Sequence, residues 1–592
     1  MSQIKIELIK SINDLNSRGL LLSSKWSSEQ LNGLSPTILA TPLTNEEQLS
    51  IISQPSISSP PIGSNEYYKY ILAKNYFDLK EYRRCSDVLI DCNKYQLPIF
   101  LRSYATYLAI EKRREEDIIE QQAQQQQQQQ QAQQQAQQAQ QESQQNDKNN
   151  DTNNNNKTDQ QQQQQQQQKI EQCQEFKQLF QFYKKLYIEN KKDMDGFLLY
   201  FYSMLLKKQR DFTMARKVLI ESVHKYPCNW SAWSDLSSLC SDSADIIMQL
   251  SLPDHFMKDF FLAHFKLELQ QNNESLVIYQ QLSRTLFTQS TYILAQTAIG
   301  NYNLRAYDIG EELFERLIEL EPNRLENIDI YSNILYVRDK KASLSMLAHK
   351  AMKIEKYCPE TCCIIGNYYS LKLEHDKAIL YFQRALKLND RYLSAWTLIG
   401  HEFLEIKNVS AAINAYRKAV DINPRDYRAW YGLGQTYQLL KLPLYSLYYF
   451  KKATTLRPYD PRMWCAAGGC YEFIERIPEA IKCYERAEEN YDRERVAINK
   501  LAKLYQEIQN NEKAAFYYKK NLYYCDQEKI DGQEIIDALL FLANFYKNQN
   551  QTQSEQYCLR LLDYAGPEKE EAKSILREIH SKSKLSSKSK PK

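Results

Sequence analysis

Turn-forming residues are scarce in this chain. Glycine supplies 14 and proline 17 of 592 residues, about 2% and 3% where about 7% and 5% are usual. So few of them cannot serve many short strands and hairpins, which excludes an all-β architecture and leaves helix almost throughout. No apolar run approaches the ~18 residues that a membrane-spanning helix needs. The stretch Met1-Ser2-Gln3-Ile4-Lys5 lacks the basic and apolar regions of a signal peptide. Charge of one sign is missing too: 76 Lys+Arg against 73 Asp+Glu leave a net charge of +3, which excludes a large electrostatic footprint for nucleic acid. Neither nucleic acid nor membrane is expected as a partner.

The signatures of catalysis are also lacking. There is no Walker A, GxSxG, HExxH or CxxC motif. Thirteen cysteines are scattered, and the tightest groups, Cys358/Cys362/Cys363 and Cys465/Cys470, lack the paired spacing that zinc requires. They are expected to be buried, reduced thiols acting as small apolar fillers, which fits a nuclear or cytoplasmic location. Seven histidines lie far apart. Gly432-Leu433-Gly434 follows no strand, so it reads as a helix packing position and not as a nucleotide loop. No catalytic residue, metal or cofactor is expected.

What the chain has is a repeat of 34 residues. Segments starting at Pro359, Leu393, Tyr427, Pro461 and Arg495 align. The fourth place holds Cys362, Trp396, Trp430, Trp464 and Ile498. The eighth holds Gly366, Gly400, Gly434, Gly468 and Ala502, and the twenty-fourth Phe382, Tyr416, Phe450, Tyr484 and Tyr518. Small residues recur at the twentieth and twenty-seventh places, large ones at the eleventh. This is the tetratricopeptide pattern, in which large residues fill the space between two helices and small ones let the axes approach. Weaker units start at Glu66, Gly196, Trp230, Thr291, Leu325 and near Ile535, with a slip of about a residue between Met257 and Ser290. The expected fold is an all-α tetratricopeptide-repeat (helix-turn-helix) solenoid forming a right-handed superhelix, whose product is a curved surface and not a catalytic pocket.

The organisation predicted from composition has six parts: an amphipathic helical segment at 1–34, a Ser/Pro-rich linker at 35–64, repeat helices at 65–120, a Gln/Asn-rich disordered insertion at 121–168, the repeat superhelix at 169–565, and a C-terminal region with a Lys/Ser-rich tail at 566–592. The glutamine tract is expected between the two helices of a pair, where a solenoid tolerates insertion. Ser35-Pro36, Thr41-Pro42 and Ser59-Pro60 read as loop turns or proline-directed phosphorylation sites.

By resemblance to other tetratricopeptide repeats, the first helix of each unit lines the concave face through places two, five, nine, twelve and thirteen. The lining then includes Asp329, Asn333, Glu360, Asn367, His401, Glu405 and Gln435. Chaperone-tail binders of this repeat class carry lysine at place five, where this chain has Asp329 and Cys363. An acidic groove should prefer a basic ligand, with asparagines holding its backbone and an acid taking arginine.

Several stretches are more specific than the repeat. They are Arg18–Trp26 (RGLLLSSKW), Tyr76–Tyr82 (YFDLKEY), Ser251–Asp254 (SLPD) with Phe260–His264 (FFLAH), Leu335–Arg338 (LYVR), Glu360–Leu371 (ETCCIIGNYYSL) and Asp426–Tyr437 (DYRAWYGLGQTY). Together they resemble the family of subunit 8 of the anaphase-promoting complex, or cyclosome, also called the cell division cycle protein 23 family. The resemblance covers about residues 5–30, 65–118 and 175–525. It implies a non-catalytic scaffold in a multi-subunit cell-cycle ubiquitin ligase, nuclear and cytoplasmic. It implies a homodimer through the N-terminal repeats, with Trp26, Tyr76 and Tyr82 in or near the contact, and stacking with sister repeat subunits. It implies a groove taking an arginine-bearing coactivator motif through Asn333, Glu360, Asn367 and His401. Two other readings are an adaptor for a chaperone, disfavoured by the missing lysine clamp, and a repeat-bearing enzyme such as a glycosyltransferase, for which no catalytic block of roughly 150 residues remains outside the repeats.

Overall fold

The computed structural model describes residues 2–45, 48, 59–61, 63–117, 120, 174–240, 250–269, 271–490, 492, 495–528, 532–547, 549–564 and 566–588, with side chains to residue 580. Every regular element among them is an α-helix. The glutamine tract at 121–168 lies outside the described residues. The helices gather into two compact units, Met1–Pro322 and Asn323–Lys592. The boundary after Pro322 falls within the 169–565 span of repeats.

In the second unit the repeat frame and the helices coincide. First helices begin at Pro359, Leu393, Tyr427 and Pro461, and second helices at His375, Val409, Pro443 and Ile477. Place twenty-four supplies the core. Phe382, Tyr416 and Phe450 are fully buried, and each ring lies so near the glycine at place eight that a Cβ there would stand 2.5–2.6 Å from it. Tyr416 is held on both sides, because a Cβ on Gly432 of the next repeat would also meet its ring at 2.5 Å. The Gly432-Leu433-Gly434 string is thus two packing contacts on one helix. At place four the indole N–H groups of Trp396, Trp430 and Trp464 each donate at 2.7 Å to the carbonyl six residues back, that of Asp390, Pro424 and Pro458. Those carbonyls lie in the connections after the second helices, so each tryptophan ties that connection to the repeat it opens.

The turns inside the pairs explain the scarcity of glycine. Nine of them place a non-glycine residue at the fifteenth position of the repeat frame in the left-handed region, φ 53–65°: Lys80, Arg210, Arg305, Asp339, Leu373, Lys407, Lys441, Glu475 and Gln509. A helix Pro567–Lys588 closes the unit, burying Ala572, Ile575 and Ile579 against the last pair.

The first unit holds the helix pairs Asn65–Asp78 with Tyr82–Val88, Gly196–Lys208 with Phe212–Lys225, Phe256–Glu268 with Asn272–Thr285 and Thr291–Asn303 with Tyr307–Leu320. The frame slips by one residue after Phe256 because Thr291 follows 35 residues later. The helices at 96–117 and 174–189, on either side of the glutamine tract, lie together, with Arg102 5.8 Å over the Phe182 ring.

The N-terminal segment packs onto this unit. It is a helical hairpin, Ser2–Ser17 and Leu21–Asn32, turned at Gly19, which has a positive φ of 75° and where a Cβ would strike the Phe77 ring. Trp26 is buried, stacked on Trp230 at 4.6 Å and edge-on to Phe260 and Tyr292. Arg18 covers Phe197 at 4.0 Å and pairs with Asp195. Trp26 is therefore a core residue of this unit, its indole walled by apolar side chains of the same chain. The presumed linker also begins folded. Pro36–Ala40 form a short helix with Ile38 buried, and Ser35 N–H donates to Leu286 O at 2.9 Å.

Gly400→Ala is expected to loosen the second unit. Alanine favours a helix by about 1 kcal/mol, but overpacking costs about 1–3 kcal/mol, and Tyr416 cannot retreat with Gly432 behind it. Amide hydrogen exchange over residues 393–439 should accelerate.

Candidate functional site

A tetratricopeptide groove is lined by first helices, and the first unit fills its own. The residues that receive the hairpin sit at the starts of first helices: Phe197, Trp230, Phe260 and Tyr292. Ser23 hydroxyl joins Asn229 and Ser231, and Ser290 hydroxyl donates to Gln30. A Cβ on Gly33 would meet the Ser290 backbone at 2.6 Å.

In the second unit the first helices carry an acidic cluster. Asp329 stands in the first turn of Ile328–Val337, where the helix dipole favours a carboxylate. Asn333 lies one turn on, on the same face. The helix Pro359–Leu371 repeats the frame with Glu360, Cys363 and Asn367. Asn333 and Asn367 share place nine, 34 residues apart, and meet: Asn367 Nδ2 donates to Asn333 Oδ1 at 2.7 Å and to Ser332 Oγ at 2.8 Å. Tyr392, at the start of the following repeat, donates its hydroxyl to Asp329 Oδ2 at 2.8 Å. The Cys358 thiol donates to Glu360 Oε2.

Electrostatics mark this cluster as short of positive charge. Burial raises the Asp329 carboxyl above its ordinary range, and the Glu360 charge adds to the rise; the Tyr392 hydrogen bond and the more distant Arg428 act against it. Burial, then the Asp329 charge, pushes the Tyr392 hydroxyl far up. Burial does the same to the Cys363 thiol, so it is an apolar filler in this wall. Over the four first helices from Ile328 to Leu439 the acids are Asp329, Glu360, Glu402 and Glu405, and the one basic residue is Arg428.

The other expected lining residues lie further along. His401 is half-buried, and its Nδ1 shares a hydrogen bond with the Tyr416 hydroxyl, 2.8 Å away. Burial, with Arg428 adding, lowers its pKa to about 4, so at neutral pH the ring is uncharged. Glu405 is exposed and Gln435 half-buried, and neither joins the cluster. The structure thus unites Asp329, Asn333, Glu360 and Asn367, and sets His401 apart beside Tyr416. Three participants were not singled out from sequence. Ser332 and Tyr392 fall outside the lining places of the repeat. Glu402 is buried at place ten, where it accepts from Ser370 Oγ at 2.7 Å and His375 Nδ1 at 2.9 Å.

Of the residues expected at a dimer contact, Tyr76 carries the Arg84 guanidinium at 4.1 Å and Tyr82 packs edge-on to Phe77 at 5.5 Å. Both are half-buried within their own pair. Glu7, Cys228 and His255 form a separate group with metal-like donors. Its hydrogen bonds oppose a metal. His255 caps the helix Phe256–Glu268 by accepting Met257 N–H at Nδ1, 3.2 Å. The ring proton then belongs on Nε2, where it is donated to Glu7 at 3.0 Å. A metal would need the lone pair of that nitrogen. Of the twelve cysteines in the described residues, ten are buried and two half-buried, all as free thiols. No helix among these residues is long and apolar enough to cross a membrane.

Comparison with known proteins places this geometry. A family model described as "Anaphase promoting complex subunit 8 / Cdc23" matches residues 3–298, and two tetratricopeptide-repeat models match 359–392 and 400–441. "Anaphase-promoting complex subunit 8" of Arabidopsis thaliana is 46% identical over 600 residues, spanning 97% of this chain and 96% of that one. "Anaphase-promoting complex subunit CDC23" of Saccharomyces cerevisiae is 34% identical over 617 residues, spanning 97% of each. The solved structure "Crystal structure of APC/C hetero-tetramer Cut9-Hcn1" aligns at a TM-score of 0.47 and 13% identity, over 87% of this chain and 96% of that one, a likeness too weak to set the fold by itself.

The neutral His401 gives a signed pH dependence. Its folded pKa of about 4 lies below the ordinary 6.5, so its contribution to stability is present above 6.5 and is lost as pH falls through 4. Urea unfolding across that window should show a weaker acid loss for His401→Gln than for the unaltered chain.

Proposed function

The chain belongs to the anaphase-promoting complex subunit 8 / Cdc23 family, whose members are repeat subunits and not catalysts, and from that membership we propose that it is a scaffold of the ligase assembly that receives an arginine-bearing coactivator segment in its second unit. The acidic cluster carries this reading. Asp329 and Glu360 face a low-dielectric wall in which burial and mutual repulsion hold the Asp329 carboxyl high. A guanidinium supplies the charge they lack and two parallel N–H donors for a carboxylate. Asn333 and Asn367 offer amides to the backbone of an extended segment. His401 adds an uncharged imidazole further along. The first unit's groove already holds the N-terminal hairpin.

We further propose a homodimer through the N-terminal pair. The helix Asn65–Asp78 buries Tyr70, Ala73 and Phe77 on one side. On the other it exposes Tyr68, Ile71 and Leu72, followed by Leu79 at 69% exposure. A helix apolar on both sides is one that has a second surface to cover. Stacking with sister repeat subunits, and a nuclear and cytoplasmic location, complete the proposal. The chaperone-adaptor reading loses ground because Asp329 and buried Cys363 stand where a lysine would clamp a carboxylate.

Two measurements test these readings. Asp329→Asn should weaken binding of a coactivator peptide bearing its arginine by tenfold or more in isothermal titration, since hydrogen bonds to charged groups contribute about 1.5–3 kcal/mol. The same affinity should fall as pH drops, and from a higher pH than for an ordinary carboxylate, because burial raises the Asp329 carboxyl and the guanidinium needs it ionised. Unchanged binding in this variant would remove the groove assignment. Separately, Ile71→Glu with Leu72→Glu should convert a dimer to a monomer in sedimentation equilibrium; a dimer that persists would place the contact elsewhere.

A further inference from the structure

The second helices of the same repeats have a charge pattern opposite to that of the groove. From Lys341 to Leu456 these four helices carry ten Lys/Arg and two Asp/Glu, against one basic and four acidic residues on their first helices. The cations are in register. Place twenty-six of the repeat holds Lys350, Arg384, Lys418, Lys452, Arg486 and Lys520, one per repeat and each 34 residues after the last. The place beside it, twenty-seven, is the buried alanine column from Ala351 to Ala487, so all six stand on one face, just outside the packed seam.

The helix dipole does not explain the column. A cation near a helix C-terminus is favoured generally, yet the same place in the first unit holds Glu221, Gln281 and Arg316. Nor are the cations neutralised locally: among the described residues only Lys520 has an acidic side chain in ion-pair range, Glu488. One turn before each cation, at place twenty-two, four of the six repeats expose a large apolar side chain: Met346, Leu380, Tyr448 and Phe516, each 53–70% exposed. The row is densest on the helix Pro443–Leu456, where Leu444 and Tyr445 are also exposed and Tyr449 stacks on Tyr437 at 5.2 Å.

We propose that this outer face is a docking surface for an extended polypeptide segment of alternating acidic and apolar side chains, running from repeat to repeat, with Tyr448 and the Lys418/Lys452 pair at its centre. Charge complementarity fixes the sign of the occupant, and the apolar row beside the cations distinguishes a polypeptide from a simple polyanion. The surface lies on the second helices, so it is separate from the groove proposed above and needs no coactivator.

The test uses the full chain and a fluorescein-labelled 15-residue peptide of alternating glutamate and phenylalanine, read by anisotropy, with a glutamine-for-glutamate peptide and a single-stranded oligonucleotide as controls. The glutamate peptide should bind, weaken as salt rises, and lose tenfold or more in affinity with Lys418→Glu/Lys452→Glu. Tyr448→Ala should weaken it several-fold, and Asp329→Asn should leave it unchanged. Circular dichroism will show that the variants fold, and Lys418→Gln/Lys452→Gln provides a milder second pair. No binding, equal binding of the glutamine peptide, indifference to charge reversal, or loss in Asp329→Asn would each overturn the proposal. Displacement by the oligonucleotide at equal concentration would also overturn it, in favour of a nucleic-acid surface.

Discussion

The contact between an aromatic ring on one helix and a bare glycine on its partner sets the geometry of the second unit. Phe382 on Gly366, Tyr416 on Gly400 and Phe450 on Gly434 bring two backbones as close as a ring permits. Dense packing then leaves little freedom in axis separation or in register. Once register is fixed, residues 34 positions apart become neighbours in space. Columns of like position turn into surfaces: an asparagine pair at place nine, an alanine seam at place twenty-seven, a line of cations beside it. Chemistry in this protein is written along those columns and not into a pocket.

The two units use the same device to different ends. In the first, the chain returns its own N-terminal hairpin to the first-helix face, and Trp26 takes the place a ligand would occupy. In the second, the corresponding face is left to polar residues that satisfy one another, Asn367 with Asn333 and Tyr392 with Asp329. Such pairs hold the side chains in position before a ligand arrives, and each is also a partner that a ligand must match. That combination rewards a ligand with the right donors, since a poor one would leave buried groups unpaired.

The repeat made most of the fold legible. Helix starts at Pro359, Leu393, Tyr427 and Pro461 fall where a 34-residue frame puts them, because small and large residues alternate there for packing reasons that composition alone reveals. The site was legible only in part. Asp329, Asn333, Glu360 and Asn367 come from places that line a groove, and the frame finds them. Tyr392 does not follow the lining rule, and it reaches Asp329 across 63 residues. The burial of these polar groups was also invisible, since periodicity says which way a side chain points and not how deep it sits. Trp26 shows the converse. A family signature marked it as noteworthy, but its role as a packed indole depends on Trp230, Phe260 and Tyr292, which no local window contains.

The left-handed turn residue, repeated in nine pairs, bears on how these units deform. A non-glycine residue there is disfavoured by roughly 1–2 kcal/mol, and Lys407, Lys441 and Glu475 all accept it at nearly the same φ, 57–63°. The strain is therefore spread evenly, one equal increment per joint. Among these joints no one turn is asked to hold a larger share of it than its neighbours.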